Sequence, residues 1–398
     1  MNAGVIVEFN PFHNGHATHL QLTREITACK KIIAVMSGNF VQRGEPAMCD
    51  KARRVKMALE AGVDIVIEIP VPYATASAGF FAQAGVKLLA ATGVVDALSF
   101  GSESGDIAAI TAAGKVLADE PPAYKEALRE GLAVGKSFAA ARGAALERCI
   151  NGADGLFTKP NNCLAMEYCK ALYLLGSHME VFTTYREGGG PSATKLRRVF
   201  HASENEKQCR DNIAGLLPDF ALEILMQARD NAETVMIDDF TEIFRYLLYT
   251  QEFDLREGLE NRFRRLCASF PKAAKLSDFL ATAKTKRYTH TRLQRTVLRM
   301  ILGINESDMT VYDENGGVQY LRVLGFRKES AALLGEMTKK ATLPVITNGA
   351  AIDAILSGNA GQAAAKMLAK ELESGDIYRM ASGASGGFRS ERAMGMVL

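Results

Sequence analysis

The sequence has little that would anchor it in a membrane or cross-link it. Only seven of its 398 residues are cysteines, an odd number scattered without any C-x-x-C pair. This pattern predicts reduced thiols and argues against disulfides or a zinc site. No apolar run reaches the roughly eighteen residues that a membrane helix needs. The chain enters a predicted strand at once, which leaves no room for a signal peptide. We therefore expect a cytoplasmic protein that does not span a membrane.

The chain as a whole has almost no net charge, but one part of it is strongly basic. The net charge is only +2, whereas residues 256–300 contain twelve Lys or Arg and three Asp or Glu, a local charge of +9. The rest of the chain therefore sums to −7. With 48% hydrophobic and 23% charged residues, the composition is typical of a soluble globular protein of two or three domains.

Buried strands alternate with helices in the first half of the chain. Apolar runs predict strands at residues 4–9, 31–36, 63–69, 94–100 and 179–185, with helices between them. This alternation predicts an α/β fold with a doubly wound, Rossmann-like parallel sheet, in which ligands bind at the carboxyl ends of the strands. From about residue 200 the pattern changes to helices with short connections. We expect a sheet domain with the ligand site at 1–199 and a mainly helical domain at 200–398.

The first strand leads into a turn that carries two histidines, His13 and His16, with Gly15 between them. If Gly15 opens the following helix, both imidazoles lie in front of its positive end, where phosphates bind. Neutral donors at this place suit the charge that develops when a phosphoryl group is attacked. The alternative is a pair of surface histidines in a turn, but the strand before and the helix after favour phosphate chemistry.

The H-x-G-H pattern resembles the signature of a nucleotidyltransferase superfamily shared with class I aminoacyl-tRNA synthetases. The longer string around it resembles the tRNA(Met) cytidine acetate ligase family. That resemblance implies formation of acetyl-adenylate from acetate and ATP, followed by acetylation of the wobble cytidine of elongator tRNA(Met). It also implies that ATP contacts the whole string, which consists of Val7, Glu8, Phe9, Asn10, Pro11, Phe12, His13, Asn14, Gly15, His16, Ala17, Thr18, His19 and Leu20.

A second candidate phosphate site follows the fifth strand. Ser192 or Thr194 can cap the next helix, and Lys195 and Arg197 would lie in its first turn, where cations need an anionic ligand to oppose the helix dipole. An ordinary capped helix with solvated side chains is the alternative. The segment resembles the S-[AS]-T-x-I-R motif that holds the ATP triphosphate, with Leu196 in place of Ile. We expect His13, His16, Lys195 and Arg197 to be catalytic. By the same resemblance, ATP would also contact Gly101, Asn161, Asn162 and Arg186, although Asn162 could equally be only a helix cap.

The segment 284–299 carries six basic residues and no acidic one. On a helix, Tyr288 and three arginines fall on one side and apolar residues on another, which is typical of a nucleic-acid surface. A solvated basic face is the alternative. The run also resembles one in the same ligase family. The predicted tRNA-binding residues are Lys284, Lys286, Arg287, Arg292, Arg295 and Arg299. We therefore expect residues 1–199 to be the ATP-binding catalytic domain, nucleotidyltransferase-like by the resemblance, and residues 200–398 to bind tRNA.

Adenylation of acetate needs positioning and charge stabilisation more than acid–base help. The sequence offers no dedicated carboxylate cluster for a metal, so Mg²⁺ would arrive on the triphosphate. We expect ATP, acetate and elongator tRNA(Met) as partners, and no protein partner. Two alternatives remain: a small-molecule adenylyltransferase of the pantetheine-phosphate or nicotinate-mononucleotide type, and an RNA-binding protein with an inactive nucleotide pocket.

Overall fold

The structure of the protein is a computed structural model. It describes residues 1–150, 155–186, 192–250, 267, 270, 275–285, 289–383, 391–393 and 396–398. The strands in the described residues are β1 (Asn2–Val7), β2 (Lys31–Ser37), β3 (Phe40–Val41), β4 (Glu45–Pro46), β5 (Ile65–Ile69), β6 (Ala97–Ser102), β7 (Glu180–Tyr185), β8 (Leu321–Phe326), β9 (Val345–Ile346) and β10 (Met396–Val397).

Helices fill most of the remaining described chain. They are α1 (Asn14–Thr27), α2 (Lys51–Glu60), α3 (Val71–Ala74), α4 (Ala78–Ala91), α5 (Ile107–Asp119), α6 (Pro122–Ala133), α7 (Phe138–Cys149), α8 (Pro160–Leu175), α9 (Ala193–Ala202), α10 (Glu206–Ile213), α11 (Asp219–Asp230), α12 (Thr241–Thr250), α13 (Leu276–Ala283), α14 (His290–Ile301), α15 (Glu306–Glu314), α16 (Ala331–Lys340), α17 (Gly349–Leu356) and α18 (Gln362–Ala381). Short 3₁₀ turns occupy Leu156–Thr158, Ile237–Phe240, Lys328–Ser330 and Glu391–Ala393.

One mostly parallel sheet organises the described chain. Its strand order is β10-β8-β5-β2-β1-β6-β7, with β9 paired to β8. The β5–β8 pair is antiparallel and the other pairs are parallel. The predicted doubly wound sheet is therefore confirmed. The turn after β1 lies at the carboxyl edge of the sheet. The strand order changes direction at β1, because β2 lies on one side of it and β6 on the other, and such folds bind ligands at this switch point.

Apolar side chains cover both faces of the central strands. On β2, Ile33 and Val35 lie in one buried cluster while Ala34 and Met36 lie in another. Successive side chains of a strand point to opposite faces, so the continuous apolar run that predicted this strand is explained by helices packed on both sides.

The predicted strand boundaries lie within three residues of the observed ones. Strand β1 ends at Val7 instead of residue 9, because the chain turns directly after it. The sequence predicts Asp50 as the cap of α2, and its carboxylate accepts a hydrogen bond from the Arg53 amide at 2.9 Å, which confirms this. The sequence also predicts a helix from residue 257 to residue 270, of which only Cys267 and Phe270 lie within the described residues.

The second half of the chain is mainly helical, as predicted, but it also completes the sheet. Helices α12, α13 and α14 share a buried cluster with Phe40 of β3. Strand β8 pairs with β5, so residues from both halves build one sheet. The sequence did not suggest this strand. The division at residue 199 stays a prediction.

A cluster of buried charges lies where the two halves meet. The Lys51 ammonium contacts the carboxylates of Glu68, Glu371 and Glu391 at 2.5, 3.3 and 2.7 Å. Arg322 of β8 contacts Glu68 at 2.8 Å and Glu391 at 3.4 Å. Each of these five side chains is at most 5% exposed. We call this set the buried ion cluster.

A proton on one carboxyl group balances the charges of the buried ion cluster. Burial and then the Glu68 charge raise the pKa of Glu371 to about 8. Burial alone would raise the pKa of Glu68 as well, but Lys51 and Arg322 lower it to about 2. With Glu371 protonated, two cations face two carboxylates, which is how buried charges are tolerated.

Within the described ranges, no helix combines the length and the apolar character that spanning a membrane requires.

Candidate active site

The turn after β1 is built around the His13 imidazole. His13 precedes α1 as its cap, and its Nδ1 accepts a hydrogen bond from the Gly15 amide at 3.0 Å. The His16 Nδ1 accepts from the His13 amide at 3.3 Å, and the two rings stack with centroids 3.8 Å apart. A Cβ on Gly15 would lie 2.9 Å from the His13 Cε1, so a side chain would push the ring away. The predicted placement of both imidazoles at the start of the helix is confirmed.

Both histidines are neutral hydrogen-bond donors in this arrangement. Because each Nδ1 accepts a hydrogen bond, the proton of each neutral ring lies on Nε2. Burial and then the Arg186 charge lower the pKa of His13 to about 4. Burial, followed by the charges of His13, Arg186 and His19, lowers the pKa of His16 as well. The rings are thus uncharged at neutral pH and can donate to an anion.

Two buried donors in this turn have no partner among the described residues. They are the Nε2 of His13, which is 1% exposed, and the Nδ2 of Asn10, which is 4% exposed. The Asn10 Oδ1 is satisfied, since it accepts from the Met48 amide at 2.7 Å. Buried donors are nearly always paired in folded proteins. Unpaired donors beside a helix N-terminus therefore indicate a place for an anionic ligand.

Two aromatic rings pack against the His16 ring, and the backbone of one of these residues is strained. The rings of Phe9 and Phe12 pack against His16 with centroids 5.0 and 5.6 Å away. Phe9 has a φ of +47°, a left-handed conformation that costs free energy in a residue with a side chain. This packing fixes the orientation of the His16 ring.

Four other residues of the predicted ATP-binding string make contacts within the protein. Val7 and Leu20 are buried in the core, so their side chains support the turn. Asn14 is tied to the loop after α10, because its Nδ2 donates to the Gly215 carbonyl at 2.7 Å. The His19 Nδ1 lies 2.9 Å from the Thr184 Oγ1 and connects α1 with β7.

Helix α9 brings a guanidinium group to the same turn. Ser192 caps the helix by accepting from the Lys195 amide at 3.2 Å, as predicted. The Arg197 Nη1 donates to the Asn10 carbonyl at 2.7 Å, and its Nη2 lies 2.5 Å from the Glu45 carboxylate. Arg197 begins the second turn of α9, so its placement in the first turn was wrong. Lys195 and Thr194 are exposed.

Residues at the ends of β6 and β7 form the other side of the turn. Gly101 lies in β6 opposite Thr184 of β7. Arg186 follows β7, is exposed, and its amide donates to the Ser102 carbonyl at 2.8 Å. Its charge reaches the imidazoles, since it contributes to the lowered pKa of His13, His16 and His19.

The asparagine pair at the start of α8 has a structural role. The Asn162 Oδ1 accepts from the Glu103 amide at 2.9 Å, and its Nδ2 donates to the Leu156 carbonyl at 2.8 Å. The Asn161 Nδ2 donates to the Glu103 carboxylate at 2.7 Å. Both ends of the Asn162 amide are used within the protein, but they bond to residues outside α8, whose cap is Lys159 without a side-chain hydrogen bond. Asn162 is therefore not a helix cap, and its amide ties the loop after β6 to Leu156.

Comparisons with known proteins decide the family. The model of the family described as HIGH Nucleotidyl Transferase matches residues 1–391. The chain is 40% identical to the tRNA(Met) cytidine acetate ligase of Thermoanaerobacter sp. (strain X514), an alignment that covers 95% of this chain and 94% of that protein. It is 38% identical to the ligase of the same name from Caldanaerobacter subterraneus subsp. tengcongensis, with the same coverage. The chain belongs to the tRNA(Met) cytidine acetate ligase family.

Solved structures agree with this assignment. The crystal structure of Thermotoga maritima TmcAL bound with alpha-thio ATP is similar over 100% of both chains, with a TM-score of 0.89 and 34% identity. The apo form of the same protein gives a TM-score of 0.89 at 32% identity, over 100% of this chain and 99% of that one.

In this member of the ligase family, the basic segment is only partly the open surface that was predicted. Leu293 and Val297 of α14 are buried, as expected. Arg299, which was predicted on the open tRNA-binding face, is only 14% exposed, and its Nη1 donates to the Pro72 carbonyl at 3.0 Å. Arg292 and Arg295 are half-buried, and Lys284 lies before α14. Lys286, Arg287 and Tyr288 lie outside the described residues.

Sequence reasoning missed several residues that build the ligase site. Arg54 is fully buried and donates to the carbonyls of Glu8 at 2.7 Å and Ser37 at 3.1 Å, thereby holding the ends of β1 and β2 together. Glu45 pairs with Arg197. An arginine on the apolar face of a helix is only a weak signal that it holds two strand ends together. The backbone carbonyls that it contacts cannot be identified from the sequence. Across the described part of the chain, no group of three or more His, Cys, Asp or Glu side chains is placed to hold a metal ion.

Proposed function

We propose that this protein is an ATP-dependent ligase that activates acetate as acetyl-adenylate and transfers the acetyl group to N4 of the wobble cytidine of elongator tRNA(Met). The observation that carries the proposal is the pair of unpartnered buried donors, His13 Nε2 and Asn10 Nδ2, at the start of α1. The names of the relatives supply the substrate.

The first step follows from the charges of the turn. An oxygen of acetate attacks the α-phosphorus of ATP, and the bond from that phosphorus to the bridging oxygen of pyrophosphate breaks. The neutral Nε2–H groups of His13 and His16 would donate to the α-phosphate oxygens as negative charge builds on them. Arg197, with Lys195 on the exposed side of α9, would hold the departing phosphates.

Mg²⁺ enters this proposal as a companion of ATP. Mg²⁺ on the triphosphate would neutralise charge and orient the leaving group. The described residues offer no carboxylate cluster for it, so phosphate oxygens and water would be its ligands. Acetate is already ionised, so the reaction needs no general base, and His13 and His16 would act only as hydrogen-bond donors.

The second step transfers the acetyl group. The N4 amine of the cytosine attacks the acetyl carbonyl carbon, the bond from that carbon to the phosphate oxygen breaks, AMP leaves, and the amine loses a proton. A wobble base in an anticodon loop is unpaired, so it can be splayed into the site at modest cost. We propose that Lys284, Lys286, Arg287, Arg292 and Arg295 contact the tRNA backbone, and that residues 200–398 supply this surface. A tRNA substrate would place the protein in the cytoplasm.

One incubation tests the whole proposal. The protein is mixed with ATP, Mg²⁺, carboxyl-labelled acetate and elongator tRNA(Met), and label is measured in acid-precipitable RNA together with AMP. We expect label in RNA only when both ATP and acetate are present. In a comparison incubation, labelled acetyl-coenzyme A replaces acetate and ATP is left out. Label in RNA there would overturn the acetate mechanism. AMP transfer to a small phosphate-containing acceptor without labelled RNA would favour the small-molecule adenylyltransferase.

A further inference from the structure

The hairpin formed by β3 and β4 lies between the nucleotide turn and the basic helix. On the nucleotide side, the Gln42 amide donates to the Glu8 carboxylate at 2.6 Å, and Glu8 is the first residue after β1. On the other side, Phe40 lies in the same buried cluster as α12, α13 and α14. The hairpin therefore contacts both regions that the proposed function requires.

Glu45 is the residue of this hairpin that reaches Arg197. Its Oε1 lies 2.5 Å from the Arg197 Nη2, while the Nη1 of the same guanidinium donates to the Asn10 carbonyl at 2.7 Å. The pair is largely shielded, with side chains 16% and 21% exposed. Two anchors on different nitrogen atoms fix both the position and the plane of the guanidinium.

The tip of the hairpin rests on the backbone of α14. Gly44 has a φ of +80°, and a Cβ built on it would lie 2.3 Å from the Arg295 backbone nitrogen and 2.6 Å from its Cα. Backbone atoms of a helix cannot move aside as a flexible side chain can. Only glycine suits this place, and the position of Glu45, one residue further, depends on α14.

We propose that Glu45 is a positioning residue for the adenylation step, which holds Arg197 over the nucleotide turn and makes its position depend on helix α14. The inference rests on the proposed function. Glu45 acts through Arg197 and needs no contact with substrate. In this arrangement, a shift of α14 is transmitted through Gly44 to the arginine that faces the phosphates.

The first test uses acetate-dependent exchange of labelled pyrophosphate into ATP, which needs no tRNA. Glu45→Ala removes the acceptor for Arg197, and we expect kcat to fall about 10- to 100-fold with little change in the KM for ATP, as expected for lost positioning. Glu45→Gln keeps an acceptor oxygen and should stay within about threefold of wild type. A kcat of Glu45→Ala near that of wild type, or a Glu45→Gln as impaired as Glu45→Ala, would overturn the positioning role.

A double-mutant cycle separates action through Arg197 from an independent effect. If Glu45 acts only through the guanidinium, Glu45→Ala should have almost no further effect in an Arg197→Ala background. Multiplicative losses would refute the inference. Gly44→Ala should lower kcat in the wild-type background and add little once Glu45 is alanine. An effect of Gly44→Ala that persists unchanged without Glu45 would refute the link to α14.

Two controls keep the outcomes distinct. Glu233→Ala removes another arginine partner of similar exposure, since Glu233 pairs with Arg53, and it should leave exchange unchanged. Thermal unfolding of every variant identifies loss of folding. Absence of acetate-dependent exchange in the wild-type protein would refute the proposed function, whereas normal exchange in both wild type and folded Glu45→Ala would refute only this inference.

Discussion

Replacing Lys51 with Met should test the buried ion cluster most directly. The Lys51 ammonium contacts three carboxylates at 2.5–3.3 Å and is 1% exposed. With Glu371 protonated, Lys51 and Arg322 face Glu68 and Glu391. Arg379 reaches Glu391 at 3.4 Å from the less buried side and is itself paired with Asp376, so the cluster together with this outer pair is neutral. Methionine fills a similar volume but leaves one buried negative charge uncompensated. Breaking a buried ion pair in this way costs about 3–5 kcal/mol of unfolding free energy.

Urea unfolding followed by far-ultraviolet circular dichroism measures this loss, because the chain has no tryptophan to report by fluorescence. Lys56→Met is the matched control: it lies in the same helix, its side chain is 45% exposed, and its partner Glu60 is 3.8 Å away. We expect the control to stay within about 0.5 kcal/mol of wild type. Adding Glu391→Gln to Lys51→Met should recover part of the lost stability, because it restores neutrality. A loss below about 1 kcal/mol for Lys51→Met would refute the charge argument.

Three further predictions address pH, catalysis and RNA. Because the pKa of Glu371 is raised, its contribution to stability is present at low pH and is lost as the pH rises through about 8. Relative to wild type, Glu371→Gln should therefore gain unfolding free energy between pH 6 and pH 9, and an unchanged difference would contradict the raised pKa. His16→Ala should lower acetate-dependent pyrophosphate exchange about a hundredfold, on the order of 3 kcal/mol, without unfolding the protein. Near-normal exchange by the folded variant would contradict the assignment. Changing Arg292 and Arg295 to Ala should weaken tRNA binding and reduce the salt dependence by roughly one log–log unit per lost contact, whereas unchanged affinity in a filter-binding titration would place the RNA surface elsewhere.

The sheet and the nucleotide turn could be predicted because their signals are local. An unbroken apolar run followed by His13, Gly15 and His16 combines strand, turn and helix start within a short stretch. The same holds for Ser192, whose capping role needs only the helix that follows it. Such features depend on neighbours in sequence, so they can be inferred from one chain.

Contacts between distant segments could not be predicted in this way. Strand β8 contains the buried Arg322, which disguises an otherwise apolar run, and its partners Glu68 and Glu391 lie far away in sequence. The pairing of Glu45 with Arg197 depends likewise on the position of a hairpin. Arg299 looked like part of a solvated face because the Pro72 carbonyl that it contacts belongs to the other half.

The place of β8 in the sheet has a consequence for how the protein is made. Glu68 of β5 and its partner Arg322 of β8 are separated by 254 positions, which at ordinary elongation rates corresponds to on the order of 10–50 s of synthesis. If β5 has already paired with β2, its other edge keeps unpaired backbone groups through that interval, and such an edge promotes aggregation. Its shortness, the Pro70 that follows it, and the inward charge of Glu68 are features that discourage wrong pairing. The carboxylate that later joins the buried ion cluster would thus first protect the nascent chain.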